Sequence, residues 1–263
     1  MSVGWVSILV FVIAVLMTIA GRGGGNFYVL LQLVVGASMH LAATTGQFLM
    51  ASTSLAAMIV FQKHRAVVWP MAIFIGLTTS LMAFVGGFIS HGIDGWTLKM
   101  VFAGMLVLAG ILMLLPIRER EGAPPAGVLT WRFRAGEGTY AVDLRIAVPV
   151  ALATGLFAGM VGVSGGSFLV PLMVLACRLP MRLAVGTATV MVAATAFMGF
   201  LGHLSRGAFD PVWILPQTAA AIAGGVLGGR LTLRTKPKVL KRIFAITTLA
   251  AAVFLCVNAA MTR

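Results

Sequence analysis

GVSGGSFLVPLMVL, residues 162–175, sits within a strongly apolar chain, and a rougher copy, GRGGGNFYVLLQLV, occupies residues 21–34. In each copy glycines interrupt a hydrophobic run, and a short apolar helix is expected to begin at Asn26 or Ser167. Backbone released from helix inside a bilayer is tolerated only where protein or a water-filled cavity surrounds it. Two such interruptions at matching places point to a duplicated membrane unit.

Composition agrees. Of 263 residues, 60% are hydrophobic and 10% charged, and a mean hydropathy of +1.05 excludes an ordinary soluble domain. The net charge of +13 does not indicate nucleic acid, because the basic residues fall between apolar runs rather than along one amphipathic face. They fit cytoplasmic loops under the positive-inside rule. Cys177 and Cys256 lie in or beside apolar segments, with neither metal-type nor disulfide-framework spacing. No cofactor and no metal set is expected. The apolar run at 3–20 resembles a signal peptide, but no Lys or Arg precedes it and its end at Gly21 corresponds to Gly162 deep in the chain, so it is read as mature structure.

Apolar runs fall at about 3–20, 26–37, 42–62, 67–90 and 95–116, and again at about 143–161, 167–177, 183–204, 211–230 and 239–261. The second run of each set is too short to cross about 30 Å as a helix. Residues 117–142 hold charges, Pro124, Pro125 and several glycines, and read as a polar cytoplasmic linker with Trp131, Phe133 and Tyr140 at the membrane interface. The chain thus divides into a first transmembrane repeat (1–116), the linker (117–142) and a second repeat (143–263). Gly21, Gly24, Gly25 and Phe27 match Gly162, Gly165, Gly166 and Phe168 at an offset of about 141. After a one-residue slip Leu41, Ala42, Thr45 and Thr53 match Leu183, Ala184, Thr187 and Thr195.

Charge sets how the halves face. Lys63 with Arg65, the linker arginines with Arg145, and the cluster from Arg230 to Arg242 are expected on the cytoplasmic side. Counting spans between them makes each glycine-broken pair a re-entrant or hairpin element, the two entering from opposite faces. The fold expected is therefore an all-α polytopic membrane protein of two inverted repeats, each a broken helix pair followed by three transmembrane helices, with both termini extracytoplasmic.

The stretch GLFAGMVGVSGGSFLVPLMVLACRLPMRLAVGTATVMVAATAFMGFLGHL, residues 155–204, resembles the signature of the TauE/SafE sulfite exporter family: a glycine-rich break, an apolar helix with a proline, then AVGT. That resemblance implies a multi-pass carrier of the bacterial inner membrane for sulfur-containing anions such as sulfite or organosulfonates. The first half departs from the pattern. Leu30 stands where Pro171 stands, AATTGQ replaces AVGTAT, and Arg22 intrudes into the glycine break.

The break chemistry suits an anion without the resemblance. A helix starting at Asn26 or Ser167 aims its unpaired N–H groups and positive dipole end at the glycine turn, where no side chain blocks approach. Asn26 and Ser167 are expected N-caps, with ligand contact an equal alternative. Glycines 23–25, 165 and 166 alternatively permit close helix packing. Arg22 offers a planar fork for sulfonate or sulfite oxygens, with snorkelling as its other role. The expected substrate residues are Arg22, Gly23, Gly24, Gly25, Asn26, Thr45, Gln47, Ser164, Gly165, Gly166, Ser167, Thr187 and Thr189, the threonines competing with bonds to their own helix carbonyls. The partners are then a small anion and the lipid bilayer, with no nucleic acid; a homodimer is allowed.

All six acids lie at segment ends or in the linker, which argues against a carboxylate proton relay. His40, His64, His91 and His203 read as solvated or interfacial. Two other classes fit the pattern. Gly162 to Gly166 satisfies G-x-S-x-G, so Ser164 with His203 outlines an intramembrane hydrolase, although the matching position in the first copy is Gly23. An anion channel would use the same helix ends.

Overall fold

A computed structural model of the chain describes residues 2–19, 21, 23–114, 130–135, 138–163, 165–177, 179–205, 209–236, 239, 246 and 253. Arg22, Ser164 and nearly all of the expected last span at 239–261 lie outside these residues. Nine helices are described: α1 (Val3–Ile19), α2 (Gly25–Val34), α3 (Met39–Lys63), α4 (Trp69–Ser90), α5 (Gly95–Leu114), α6 (Leu144–Val161), α7 (Gly166–Pro171), α8 (Met181–Leu204) and α9 (Pro211–Arg234). α7 continues as a π-helical turn, Leu172–Ala176. Five of them, α3, α4, α6, α8 and α9, are long and apolar enough to cross a membrane. α2, with 10 residues, reaches only about 15 Å, half a hydrocarbon core.

The lipid-facing surface is apolar. On α4, Ile73, Leu77 and Leu81 are exposed at helical spacing, with Phe84 and Phe88 beyond them. A stripe of that size on a water-soluble protein would be an aggregation site, whereas in a bilayer it is solvated.

Helices of one half pack chiefly on helices of the other. α1 lies on α9, α4 on α6 and α8, and α3 on both α8 and α9. Small residues make this approach possible. A Cβ at Gly155 or Gly159 of α6 would run into the backbone oxygens of Thr79 or Ala83 on α4, and one at Gly224 or Gly228 of α9 would meet Phe11 or Val15 on α1. Without a hydrophobic drive between helices in lipid, such backbone proximity supplies much of the packing attraction.

Two expectations are corrected. The fold is not wholly α-helical: part of the linker forms an antiparallel hairpin, β1 (Thr130–Ala135) with β2 (Gly138–Asp143), in which Trp131 faces Val142 and Phe133 faces Tyr140. Alternation puts these four on one face, and Phe133 and Val142 are buried with Phe61, Val68, Met71, Leu172, Met173 and Cys177. Trp131 also meets Phe74 at a tilt, 5.6 Å between ring centres. The hairpin is therefore docked on one end of the bundle. The second correction concerns the helix starts. α2 begins at Gly25 behind a left-handed Gly24, and α7 at Gly166 behind Gly165, with no side-chain cap in either case. Asn26 and Ser167 each stand one residue inside the helix and do not cap it.

Candidate functional site

Between α1 and α2 the chain turns through Gly21 (φ 76°), Gly23 (φ 64°) and Gly24 (φ 92°), and α6 ends at Gly162 (φ 79°). Left-handed backbone of this kind favours glycine. The two turns sit against opposite partners. Gly21 packs on Val185 of α8, and Gly162 on Ala43 of α3. Between the turns the short helices meet: Asn26 Nδ2 donates to Ser167 Oγ at 3.3 Å, both residues being buried.

Hydroxyl groups surround this junction. Thr53 Oγ1 donates to Leu49 O at 2.8 Å and lies 2.8 Å from Tyr28 Oη, which accordingly donates to it. Thr79 Oγ1 donates to Gly76 O at 3.0 Å and lies 2.9 Å from Thr195 Oγ1. Thr195 and Thr154 present methyl groups to Gly165. Beside Gly23 stands Ser54 Oγ, close enough that a Cβ on the glycine would collide with it. Ser54 is fully buried, and its hydroxyl has no hydrogen-bond partner among the described residues. Leaving a buried hydroxyl unpaired costs about 1–3 kcal/mol.

The other expected residues are dispersed. Gln47 Nε2 donates to Ala158 O at 3.1 Å, and its Oε1 is unpartnered among the described residues. Thr189 Oγ1 donates to Val185 O at 2.8 Å. Thr187 Oγ1 accepts from Val68 N at 3.0 Å, holding the start of α4. Thr45 lines a cavity of about 250 Å³ with Gln32, Leu41, Asp210, Trp213 and Ile214. α3 and α8 run antiparallel, since the start of α3 meets the end of α8 through the His40, His91 and His203 rings. Thr45 and Thr187 thus lie at opposite ends of the bundle and form no common shell. Arg22 and Ser164 are outside the described residues. Ser54, Thr53, Tyr28 and Thr195 are neighbours of the junction that the sequence reading did not select; the pairing of Thr53 with Thr195 across the duplication was the available signal.

A polar junction built at helix breaks within an apolar bundle is the arrangement of a membrane transporter rather than of a simple anchor. The family described as sulfite exporter TauE/SafE matches residues 6–255, and the chain belongs to it. A probable membrane transporter protein of Xylella fastidiosa (strain 9a5c) is 29% identical over 237 residues, covering 88% of this chain and 87% of that one. The probable membrane transporter protein YdhB of Bacillus subtilis is 24% identical over 249 residues, covering 94% and 98%. No solved structure matches significantly. The family and these relatives are named as transporters, not as enzymes. His203, the partner in the hydrolase alternative, is engaged instead with Gly159 O at 2.7 Å and Ser90 Oγ at 3.3 Å.

Proposed function

We propose that this transporter is a carrier of small sulfur-containing anions, sulfite or organosulfonates, built from two inverted repeats and binding its substrate where the two glycine breaks meet. One observation carries the reading. Asn26 and Ser167 are bonded to each other and separated by 141 residues, the offset that relates the two glycine motifs. A residue can touch its own counterpart only near the axis relating the copies, so the breaks converge on that axis, as in inverted-repeat carriers. The equivalent contacts of Gly21 with Val185 and Gly162 with Ala43 support the same relation, as does the exchange of α1 on α9 for α6 on α4. The unpartnered Ser54 hydroxyl at Gly23 and the start of α2 at Gly25 supply donors for anion oxygens. Arg22 adds the planar cationic fork, with Thr45 on the approach.

A carrier reading is favoured over a pore by asymmetry between the ends. The cavity beside Thr45 is bounded by Gln32, Gly36, Asp210 and Trp213. At the other end their counterparts by the repeat offset are Met173, Cys177, Val68 and Met71, which are packed together beneath Phe133 and Val142. A cavity at one end and packed side chains at its equivalent are the kind of asymmetry that alternating access requires. With Lys63, Arg65 and the basic linker on the cytoplasmic side, the open cavity faces outward and both termini are extracytoplasmic, in the bacterial inner membrane.

The test is a thermal-shift screen of the purified chain against sulfite, sulfate, thiosulfate, taurine, isethionate and sulfoacetate, followed by flux of the hits in proteoliposomes, since a ligand bound to the folded state raises apparent stability. Saturable flux with counterflow is expected. Linear, non-saturating flux would refute the carrier reading, and no shift with any sulfur anion would refute the substrate class.

A further inference from the structure

Three histidines from separate segments meet at one end of the bundle. His40 and His91 stack with ring centres 5.1 Å apart and planes 15° from parallel, and His91 meets His203 edge-on at 5.8 Å. His203 is fully buried, which corrects the expectation of a solvated or interfacial ring. Its Nε2 lies 2.7 Å from Gly159 O. A carbonyl only accepts, so Nε2 carries a proton. Its Nδ1 lies 3.3 Å from Ser90 Oγ, which in turn donates to Gly87 O at 2.7 Å.

Proton counting at this site gives two satisfied states. With the Ser90 proton on Gly87 O, the serine oxygen offers a lone pair to Nδ1, and only a protonated Nδ1 fulfils that contact; His203 is then an imidazolium with both N–H groups bonded. If the hydroxyl turns to Nδ1, the neutral ring is satisfied instead. The two states differ by one proton on Nδ1 and the rotation of one hydroxyl. His91 Nε2 donates to His203 O at 3.1 Å, which ties it to the same helix end, and His40 Nδ1 has no partner among the described residues. The stack thus leads from the half-buried His40 and His91 to the buried ring.

We propose that His203, with Ser90 and the His40–His91 stack, is a proton-binding site that couples proton movement to transport. The coupling rests on the transporter reading above; the proton binding does not. His203 sits where the halves approach closely, at the contact of α8 with α4 and α6: a Cβ on Gly87 would meet Gly199 O at 2.6 Å and His203 N at 3.0 Å. A charge gained there bears directly on the surfaces that must move past each other. The groups facing it from α3 and α4 are His40 and His91; α6 and α8 present no other titratable side chain at this end among the described residues. On neighbouring α5, Asp94 is held by Thr97 at the helix start, and Lys99 follows one turn on. With no acid in the cluster among the described residues, repulsion among adjacent rings disfavours a second charge. The counterpart of His203 at the opposite end, by the repeat offset, is the buried Phe61, which binds no proton.

Two measurements test this. In the full-length chain carrying 15N-labelled histidine, the His203 ring signals, assigned with His203→Gln, should pass from the neutral to the doubly protonated form as the pH is lowered. In His91→Gln the midpoint should rise, because a like-charged neighbour is removed. A His203 ring that stays in one form throughout, in both proteins, overturns the site. In proteoliposomes, isethionate serves as a flux probe whose own charge does not change over the titration. An imposed pH gradient should alter its flux several-fold, and His203→Gln should abolish that response; Ser90→Ala, if the first variant fails to fold, should weaken it. Flux indifferent to the gradient in the unaltered protein overturns the coupling. If neither isethionate nor sulfite moves at all, the transporter reading of these anions falls and the coupling with it, while the NMR titration still decides the proton site.

Discussion

Replacing Ser54 with alanine separates a ligand contact from a packing role by the sign of two measurements. The side chain is fully buried and its Oγ has no partner among the described residues, so the ligand-free protein carries an unpaired hydroxyl. Ser54→Ala keeps Cβ, removes only that oxygen, and leaves no donor broken elsewhere. Relief of an unsatisfied buried group is worth about 1–3 kcal/mol, of which the lost dispersion contacts of one oxygen return a few tenths. The ligand-free variant should therefore melt at the same temperature as the parent or a few degrees above it. Binding should move the other way. A hydrogen bond to a charged ligand contributes about 1.5–3 kcal/mol, which at about 1.4 kcal/mol per decade weakens the anion some 10- to 150-fold. The assay is thermal melting without ligand, then calorimetric titration with the anion giving the largest thermal shift. A variant that is more stable and binds that anion as tightly as the parent would refute the placement of the substrate beside Gly23.

Gly23→Ala should lower stability by about 2–5 kcal/mol, from its left-handed backbone and the collision with Ser54. Gly165→Ala, where φ is −59°, should stay within about 1 kcal/mol of the parent; melting of the two proteins checks the difference. A double-mutant cycle on Asn26→Ala and Ser167→Ala should give a coupling of about 0.6–1.7 kcal/mol, and additivity would place the two breaks apart. In a Cys256→Ser background the buried Cys177 should react slowly with maleimide and faster in Phe133→Ala; rapid labelling of the intact hairpin would contradict a closed end. Bonds from Thr97 hold the exposed Asp94 carboxyl below its usual range. Its contribution to α5 should be full above about pH 4 and fade as pH falls through the lowered value, which Asp94→Asn would remove from an acid-melting curve.

The spans were legible because a bilayer makes length and hydropathy decisive. Expected runs at 42–62, 67–90 and 211–230 became Met39–Lys63, Trp69–Ser90 and Pro211–Arg234, and the expected short second helix became Gly25–Val34. The hairpin was not read, although Trp131, Phe133, Tyr140 and Val142 alternate with period two. Charges, prolines and glycines in 117–142 outweighed that short signal. The apolar face makes sense only once the ends of α3 and α4 and the turn after α7 are assembled to receive it.

The glycine breaks were legible for a similar reason, since few residues other than glycine accept the φ angles of Gly21, Gly23, Gly24 and Gly162. What hydrogen-bonds inside the junction was not. A serine or threonine within a helix ordinarily returns its proton to the carbonyl one turn back, and Thr53 and Thr189 do so. Ser54 does not, and nothing in the surrounding ASTSLA distinguishes it from Ser52, which bonds to Phe48 O at 2.9 Å. The difference lies in what stands opposite: Gly23 brings a bare turn against Ser54, whereas Ser52 is only half-buried. The histidines follow the same logic. His40, His91 and His203 each lie near a segment end, where solvation is the ordinary outcome, and only the packing of both α3 and α4 on α8, α3 antiparallel to it, turns three ends into one cluster. Residue type therefore marks where the backbone must bend, while the protonic chemistry depends on which distant segment the bend admits.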